Sequence, residues 1–69
     1  MNDKQIAVYI KKRRKQLNIT QKELSLLSDV SIRKISDIET SSGGTTIEIL
    51  NKICDILGLE IKLQIKGIE

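Results

Sequence analysis

The stretch ITQKELSLLSDVSIRKISDIET, residues 19–40, decides the fold. Near its start, Glu23 follows Thr20 by three residues, which is the spacing of a capping box. In this motif the threonine hydroxyl accepts from the third helical amide, and the glutamate reaches back to the amide of the threonine. Leu24 and Leu27 follow at helical spacing. The pattern predicts a first short helix that opens at Thr20.

A four-residue break, SDVS at residues 28–31, follows this helix. Asp29 suits a tight turn because aspartate tolerates left-handed backbone better than most residues with a side chain. Ser31 is a good N-cap. Apolar residues then recur at helical spacing, at Ile32, Ile35 and Ile38. Two short helices joined in this way form a helix-turn-helix, whose second helix lies in the DNA major groove. On this interpretation residues 31–37 face DNA.

The composition limits the class of protein. A chain of 69 residues forms one small domain of marginal stability. Cys54 is the only cysteine and there is no histidine, so neither an internal disulfide nor a Cys/His metal cluster can form, and oligomerisation remains as a source of stability. Without histidine or paired acids on a shared face, no catalytic constellation can be assembled, and we expect neither an enzyme nor a cofactor.

The charge is distributed unevenly. Residues 1–34 carry nine Lys or Arg and three acids, whereas residues 35–69 carry three Lys and six acids. The basic half includes the run KKRRK at residues 11–15 and suits a protein with one face toward phosphate, although a solvated face of an ordinary helix would look the same. The chain has no long apolar run and no secretory signal pattern, so we expect a cytoplasmic protein.

Helices are also predicted on either side of the central stretch. Residues 3–17 have apolar residues at helical spacing, and Asn18 is a plausible helix end. After the polar, Gly-rich loop at residues 40–45, Thr45 and Glu48 have the spacing of a second capping box. The helix that follows ends at Gly58. We expect it to bury Ile47, Leu50, Ile53, Cys54 and Leu57.

The period changes from helical to alternating after Gly58. Apolar residues now occupy every second position, at Leu59, Ile61, Leu63 and Ile65. This pattern predicts a strand with one apolar face, although the segment could instead extend the helix or form an irregular tail. A lone strand leaves its backbone groups unpaired, so we expect it to pair with the same strand of a second copy about a two-fold axis. The chain then divides into a helix-turn-helix domain, residues 1–58, and a dimerisation strand and tail, residues 59–69.

Several short pieces of the sequence, taken together, resemble the Cro/repressor-type helix-turn-helix (XRE) family over roughly residues 5–58. These pieces are Thr20-Gln21, Glu23-Leu24, Val30-Ser31, Ile35-Ser36, Ile38-Glu39, Ile47-Glu48 and Leu57-Gly58. The resemblance implies a mainly α fold of four to five short helices. The added strand is similar to that of HipB-like antitoxins, which implies a homodimer that represses its own operon and binds a HipA-type kinase toxin.

The sequence departs from the family pattern in the first helix of the pair and in the turn. Ser25 and Ser28 stand where the family commonly has Ala, and Asp29 stands where it has Gly; small serines still fit close helix packing. Leu26 and Leu27 stand at positions that are often charged. We favour a core position for Leu27, whereas Leu26 could extend the core or belong to an exposed patch that meets a partner.

The resemblance also assigns roles to individual residues. Gln21 corresponds to the residue that contacts the DNA backbone and braces the second helix, and Arg14 with Glu39 to a salt bridge that ties the first helix of the chain to it. Base-reading positions fall on Ser31, Ile32, Arg33, Ser36 and Asp37. We expect Lys34, and Thr40 and Ser41 in the loop, to contact the DNA backbone. The other charges of the basic run, Lys11, Lys12, Arg13 and Lys15, add general electrostatic attraction.

Alternatives remain open for the base-reading residues. The fork of Arg33 can bond both acceptors of a guanine edge, or it can contact phosphate. Ile32 can pack on a thymine methyl group or between helices. Asp37 can accept from the amino group of cytosine, but phosphate would repel it, and it can equally face away from DNA.

The expected function is that of a dimeric repressor of an inverted-repeat operator, the antitoxin of a HipA-type pair. The alternatives are a stand-alone or phage-type repressor, and a protein-interaction adaptor that has lost DNA reading. The basic N-terminal half and Arg33 disfavour the adaptor. Salt-dependent DNA binding separates it from a repressor, because phosphate contacts release counterions.

Overall fold

The computed structural model describes residues 3–63 and 66–67. The described residues contain four helices and no strand: α1 (Asp3–Gln16), α2 (Gln21–Ser28), α3 (Ile32–Glu39) and α4 (Ile47–Leu57). The mainly α prediction is confirmed, and α3 is the helix expected to enter the DNA groove. None of the described helices combines the length and the apolar character that crossing a membrane requires.

The starts of α2 and α3 follow the sequence prediction. Thr20 Oγ1 accepts from the amide of Glu23 at 3.0 Å, and the Glu23 carboxylate accepts from the amide of Thr20 at 3.0 Å, which completes the capping box. Ser31 Oγ accepts from the amide of Lys34 at 3.1 Å. Both caps provide a hydrogen-bond acceptor for an amide of the first helical turn, which has no acceptor within the helix itself.

The start of α4 corrects the prediction by one residue. The N-cap is Thr46, whose Oγ1 accepts from the amide of Ile49 at 3.1 Å, and the predicted box of Thr45 with Glu48 is wrong. The Thr45 hydroxyl is buried and has no hydrogen-bond partner in the described part of the chain. Two adjacent threonines have the same capping chemistry, so their side chains alone do not decide which of them begins the helix.

The helix ends use left-handed residues. Asn18, at φ 57°, ends α1, and Asp29, at φ 60°, makes the turn after α2, as predicted. Gly58, at φ 70°, ends α4. Ser41, at φ 57°, follows α3 and was not predicted. Glycine, asparagine and aspartate reach this conformation at lower cost than other residues, whereas a serine in it is rarer.

The core draws on all four helices and on the turn. Helix α1 packs on α3 and α4, and α2 packs on the same two helices. The buried cluster is aliphatic: Ile10, Leu24, Val30, Ile35, Ile38, Leu50, Ile53 and Leu57. Cys54 is also buried, as predicted. Since a fully buried Leu or Ile side chain contributes about 1.5–3 kcal/mol, this cluster is the main stabilising element of the domain.

Two residues predicted to be in the core lie at the surface. Leu27 is 59% exposed, because the buried face of α2 runs through Leu24 and Ser28, which are four residues apart, and Leu27 lies to one side of it. Leu26, for which the sequence left both a core and a surface position open, also lies at the surface and is 76% exposed. Ile47 is 62% exposed, because it lies in the first turn of α4, before the buried positions begin at Leu50.

The segment after α4 is irregular in the single chain. The amides of Gly58 and Leu59 both donate to the carbonyl of Cys54, which ends the helix, so the alternative of an extended α4 is wrong. Leu59 packs against the core, and residues 59–63 have no regular secondary structure. The predicted strand is therefore not seen in the described part of the single chain. Its pairing with a second copy stays a prediction, and its last apolar residue, Ile65, lies outside the described residues.

Candidate nucleic-acid interface

Helix α3 has one buried and one outward face. Ile35, Ile38 and Glu39 are buried. The outward face contains positions that are four residues apart and therefore adjacent on the helix surface. These positions are Ile32 and Ser36, with Arg33 and Asp37 beside them. Ile32 and Arg33 are exposed, and Ser36 and Asp37 are half-buried. The predicted base-reading residues thus share one face, with Ser31 at its N-terminal end.

The chemistry of this face is suited to the edges of bases. Arg33 forms no hydrogen bond or ion pair with another described residue, so all five of its guanidinium donors are available to a ligand. Ile32 adds an apolar surface that is 44% exposed. The hydroxyl of Ser31 accepts the capping bond and can still donate its own proton.

A buried ion pair connects α3 to α1. Arg14 Nε lies 2.7 Å from Glu39 Oε2, and Arg14 Nη2 lies 2.9 Å from Glu39 Oε1, so the two side chains form a bidentate pair. Arg14 Nη1 also donates to the carbonyl of Ile19 at 2.9 Å, in the connection between α1 and α2. The planar guanidinium matches the carboxylate in this geometry, which lysine cannot do. The pair fixes the C-terminal end of α3 against the rest of the domain.

The same pair shifts the ionisation of both groups. The hydrogen bond to Glu39 raises the pKa of Arg14 above its usual value, against the opposing effect of burial. Burial opposes ionisation of Glu39, but the hydrogen bonds from Arg14 and Gln21 outweigh it, and the pKa of the Glu39 carboxyl lies below its usual range. Both groups are therefore charged at neutral pH.

Gln21 connects α2 to the same carboxylate. It is the first residue of α2, and its Nε2 donates to Glu39 Oε1 at 3.3 Å. Because Gln21 is only half-buried, its second amide proton is free to point outward. The residue is thus placed between the end of α3 and the surface.

The loop after α3 is held by side chains that were expected to contact the DNA backbone. Thr40 Oγ1 donates to the carbonyl of Ser36 at 2.8 Å and lies 2.7 Å from Ser42 Oγ. Ser41 takes the left-handed turn. Lys34 Nζ donates to the carbonyl of Gly44 at 2.6 Å. Thr40 and Lys34 therefore have structural partners inside the chain.

The sequence interpretation missed the specific contact of Arg13. Its Nε donates to the carbonyl of Leu57 at 2.8 Å, so Arg13 caps the C-terminal end of α4. A cation at this end also opposes the partial negative charge of the helix dipole. The two residues are 44 positions apart, and no local pattern connects them. The general electrostatic role expected for Arg13 is therefore incomplete.

The described residues contain no group of three or more His, Cys, Asp or Glu side chains placed to hold a metal ion. Cys54 is buried, and burial, together with the nearby charge of Asp55, raises the pKa of its thiol. A thiol with a raised pKa is a poor nucleophile at neutral pH. Cys54 is a small core residue.

A comparison with models of protein families gives a match for this chain. A family model described as helix-turn-helix matches residues 10–64, which is most of the 69 residues and spans α2, α3 and α4. A comparison with curated proteins found no match. The matched region contains the two helices, the turn and the outward face of α3 described above. The chain therefore belongs to the XRE-type helix-turn-helix family of DNA-binding transcription regulators.

Proposed function

We propose that this regulator is a dimeric, sequence-specific repressor that binds an inverted repeat upstream of its own gene. The observation that carries the proposal is the outward face of α3, where Arg33 has no partner within the described chain and the end of the helix is held by a buried ion pair. A rigid helix with unoccupied donors is suited to direct readout in the major groove.

An apolar groove supports the homodimer. It has a volume of about 430 Å³ and lies between α1, α4 and residues 59–62. Its apolar lining includes Ile6, Tyr9, Ile47, Leu50, Leu59 and Ile61. The next apolar residue of the alternating segment, Leu63, is 96% exposed. A second copy about a two-fold axis would cover this groove and pair the segments Leu59, Ile61, Leu63 and Ile65 of both chains.

The dimer would place two α3 helices on successive major grooves, about 34 Å apart. In this arrangement Ser31, Ile32, Arg33, Ser36 and Asp37 read bases, and Gln21, Thr40 and Ser41 lie toward the DNA backbone. A transcription regulator must be in the same compartment as the DNA that it binds, so we propose a cytoplasmic location.

We further propose that the repressor is the antitoxin of a HipA-type kinase toxin, which the resemblance of the alternating segment after Gly58 to that of HipB-like antitoxins implies. The exposed neighbours Leu26 and Leu27 on α2 support a protein partner, because adjacent exposed leucines on a small domain are costly unless something covers them. A stand-alone or phage-type repressor is the alternative, and the same leucines also favour a protein-interaction adaptor.

Mobility shift across a salt series tests the repressor. The DNA upstream of the gene should be bound tightly and with strong salt dependence, and a scrambled duplex of the same length far more weakly. Equal binding to both duplexes would contradict sequence-specific repression, and no binding would favour the adaptor. Addition of the neighbouring gene product then tests the antitoxin proposal, which predicts a further shift of the complex that Leu26→Gln weakens.

A further inference from the structure

The loop between α3 and α4 is held in two separate halves. Its first half is tied to the end of α3, because the amide of Ser42 donates to the carbonyl of Asp37 at 2.8 Å and Thr40 Oγ1 donates to Ser36. Its second half, Gly43 and Gly44, has one hydrogen bond to another described residue, the 2.6 Å bond from Lys34 Nζ to the Gly44 carbonyl. Lys34 is in the first turn of α3, so it joins the start of that helix to the loop beyond its end.

The two glycines present bare backbone. A Cβ atom added at Gly43 or Gly44 would meet nothing within 4 Å. Gly43 has a φ of 159°, a backbone conformation that residues with a side chain rarely adopt, so a substitution there would be strained even though the space around it is open. The amides of both glycines donate to no described residue. Two unoccupied amides without side chains around them allow an anion to approach the backbone closely.

The carbonyl of Gly44 would weaken the binding of such an anion unless a cation offsets the partial negative charge of its oxygen. A carbonyl oxygen carries partial negative charge and would repel a phosphate placed at the neighbouring amides. The ammonium of Lys34 offsets this charge and also restrains the most flexible type of backbone. The arrangement therefore combines two amides that donate to no described residue with a cation bound to the carbonyl of the second glycine.

We propose that Lys34 is a positioning residue for DNA binding. Its ammonium holds the Gly44 carbonyl, and the amides of Gly43 and Gly44 contact a backbone phosphate beside the groove that α3 enters. This inference rests on the DNA binding of the proposed function and changes the role expected for Lys34, which was a direct phosphate contact. The loop contact is independent of sequence, so it sets affinity and leaves base preference unchanged.

The test compares Lys34→Met with Lys52→Met, which removes the same charge from an exposed position on α4. Three quantities are measured on the full chain. The ¹⁵N heteronuclear NOE of Gly43 and Gly44 in the free protein reports loop motion on the picosecond to nanosecond timescale. Titrations with the upstream and scrambled duplexes give affinity, and a salt series gives the slope of log K against log salt.

The proposal predicts three results for Lys34→Met. The NOE of Gly43 and Gly44 falls below the wild-type value. Affinity for both duplexes falls by about tenfold, because a loop that the lysine no longer holds must lose conformational freedom when DNA binds. The salt slope stays close to that of the wild type. Lys52→Met should change none of the three.

Any of three other results would overturn the proposal. An unchanged NOE would mean that Lys34 does not hold the loop, and unchanged affinity would mean that the loop does not matter for DNA. A salt slope lower by about 0.9 would identify a direct phosphate contact instead. If wild-type protein bound no DNA, the proposed function would fail, while the NOE would still show whether Lys34 holds the loop.

Discussion

At the scale of single residues, the pair of Arg14 and Glu39 determines where α3 lies. Both side chains are buried, and the carboxylate accepts from Arg14 and from Gln21. Removing charges from water is costly, so such a pair stabilises a protein only while both partners and their hydrogen bonds are present. Loss of one partner leaves a buried charge without compensation, which makes this pair the most sensitive polar contact of the domain.

Glu39→Gln should lower the free energy of unfolding by about 3 kcal/mol, because it leaves the Arg14 guanidinium buried without its counter-charge. The pH dependence should change as well. Since the folded pKa of Glu39 is lowered, its stabilising contribution is present above the unfolded value of about 4 and is lost as pH falls through the folded pKa. Urea unfolding from neutral to acid pH measures both effects.

The control is Glu48→Gln, which changes an exposed carboxyl at the start of α4 and should alter stability by no more than about 0.5 kcal/mol. If Glu39→Gln kept the same acid-dependent loss of stability as the wild type, Glu39 would not be the group responsible.

Arg33 is the residue with the clearest expected effect on specificity. Arg33→Ala should weaken binding to the upstream duplex by about 1–3 kcal/mol and leave binding to scrambled DNA nearly unchanged, because a guanidinium that reads guanine contributes only at the correct base. Paired titrations at one salt concentration measure this. A uniform loss on both duplexes, with a lower salt slope, would indicate a phosphate contact instead.

At the scale of elements, α4 is fixed at both of its ends. Thr46 caps its start, and Arg13 of α1 binds the carbonyl of Leu57 at its last residue. The contact of Arg13 lies directly before Gly58, where the C-terminal segment begins. The side chain of Arg13 lies close enough to Gly58 that an added Cβ would be 3.5 Å from its Nη2.

Arg13→Met should lower stability by about 1 kcal/mol, since it removes one hydrogen bond and one favourable charge at a helix end while it keeps most of the side-chain volume. Thermal or urea unfolding measures the loss. Lys12→Met removes the same charge from the neighbouring exposed position and should be nearly neutral. Equal effects of the two variants would mean that the contact with Leu57 contributes nothing.

The adjacent threonines at the start of α4 give a matched pair of variants. Thr46→Val should cost about 1 kcal/mol because it removes the cap of the Ile49 amide. Thr45→Val should be neutral or slightly stabilising, because it removes a buried hydroxyl that has no partner in the described chain. Unfolding of both variants in urea decides between them. A larger loss of stability in Thr45→Val than in Thr46→Val would instead identify Thr45 as the cap.

At the scale of the whole molecule, the small size of the domain favours association. A chain of 69 residues buries only about 60% of its unfolded surface, and no disulfide or described metal group adds stability. The apolar groove beside α1 and α4 and the exposed Leu63 remain at the surface of the single chain. Covering them in a dimer would couple stability to protein concentration.

Leu63→Gln should weaken the dimer by about tenfold or more, since it replaces an apolar side chain that the second copy would cover. Because Leu63 is exposed in the single chain, the fold should be unaffected. Lys22→Gln, at an exposed position on α2 that does not line the groove, is the control. Sedimentation equilibrium over a range of concentrations measures association. Identical association of both variants and wild type would contradict a dimer through this segment.

The sequence by itself determined where the helices are and what most of their ends look like. The box of Thr20 and Glu23, the cap at Ser31 and the left-handed Asp29 were all predicted. Each of these depends on contacts between residues at most four positions apart, and such contacts can be predicted from the spacing of residue types along the sequence. The family likewise could be recognised from these pieces in combination.

Only the tertiary structure decided which faces are covered and which distant groups meet. Leu27 and Ile47 have helical spacing that fits a core, yet both remain mostly exposed among the described residues. The bond of Arg13 to Leu57 spans 44 positions, and that of Lys34 to Gly44 spans ten. Contacts of this kind depend on how the helices pack against one another, and that packing is a property of the whole core rather than of any local pattern.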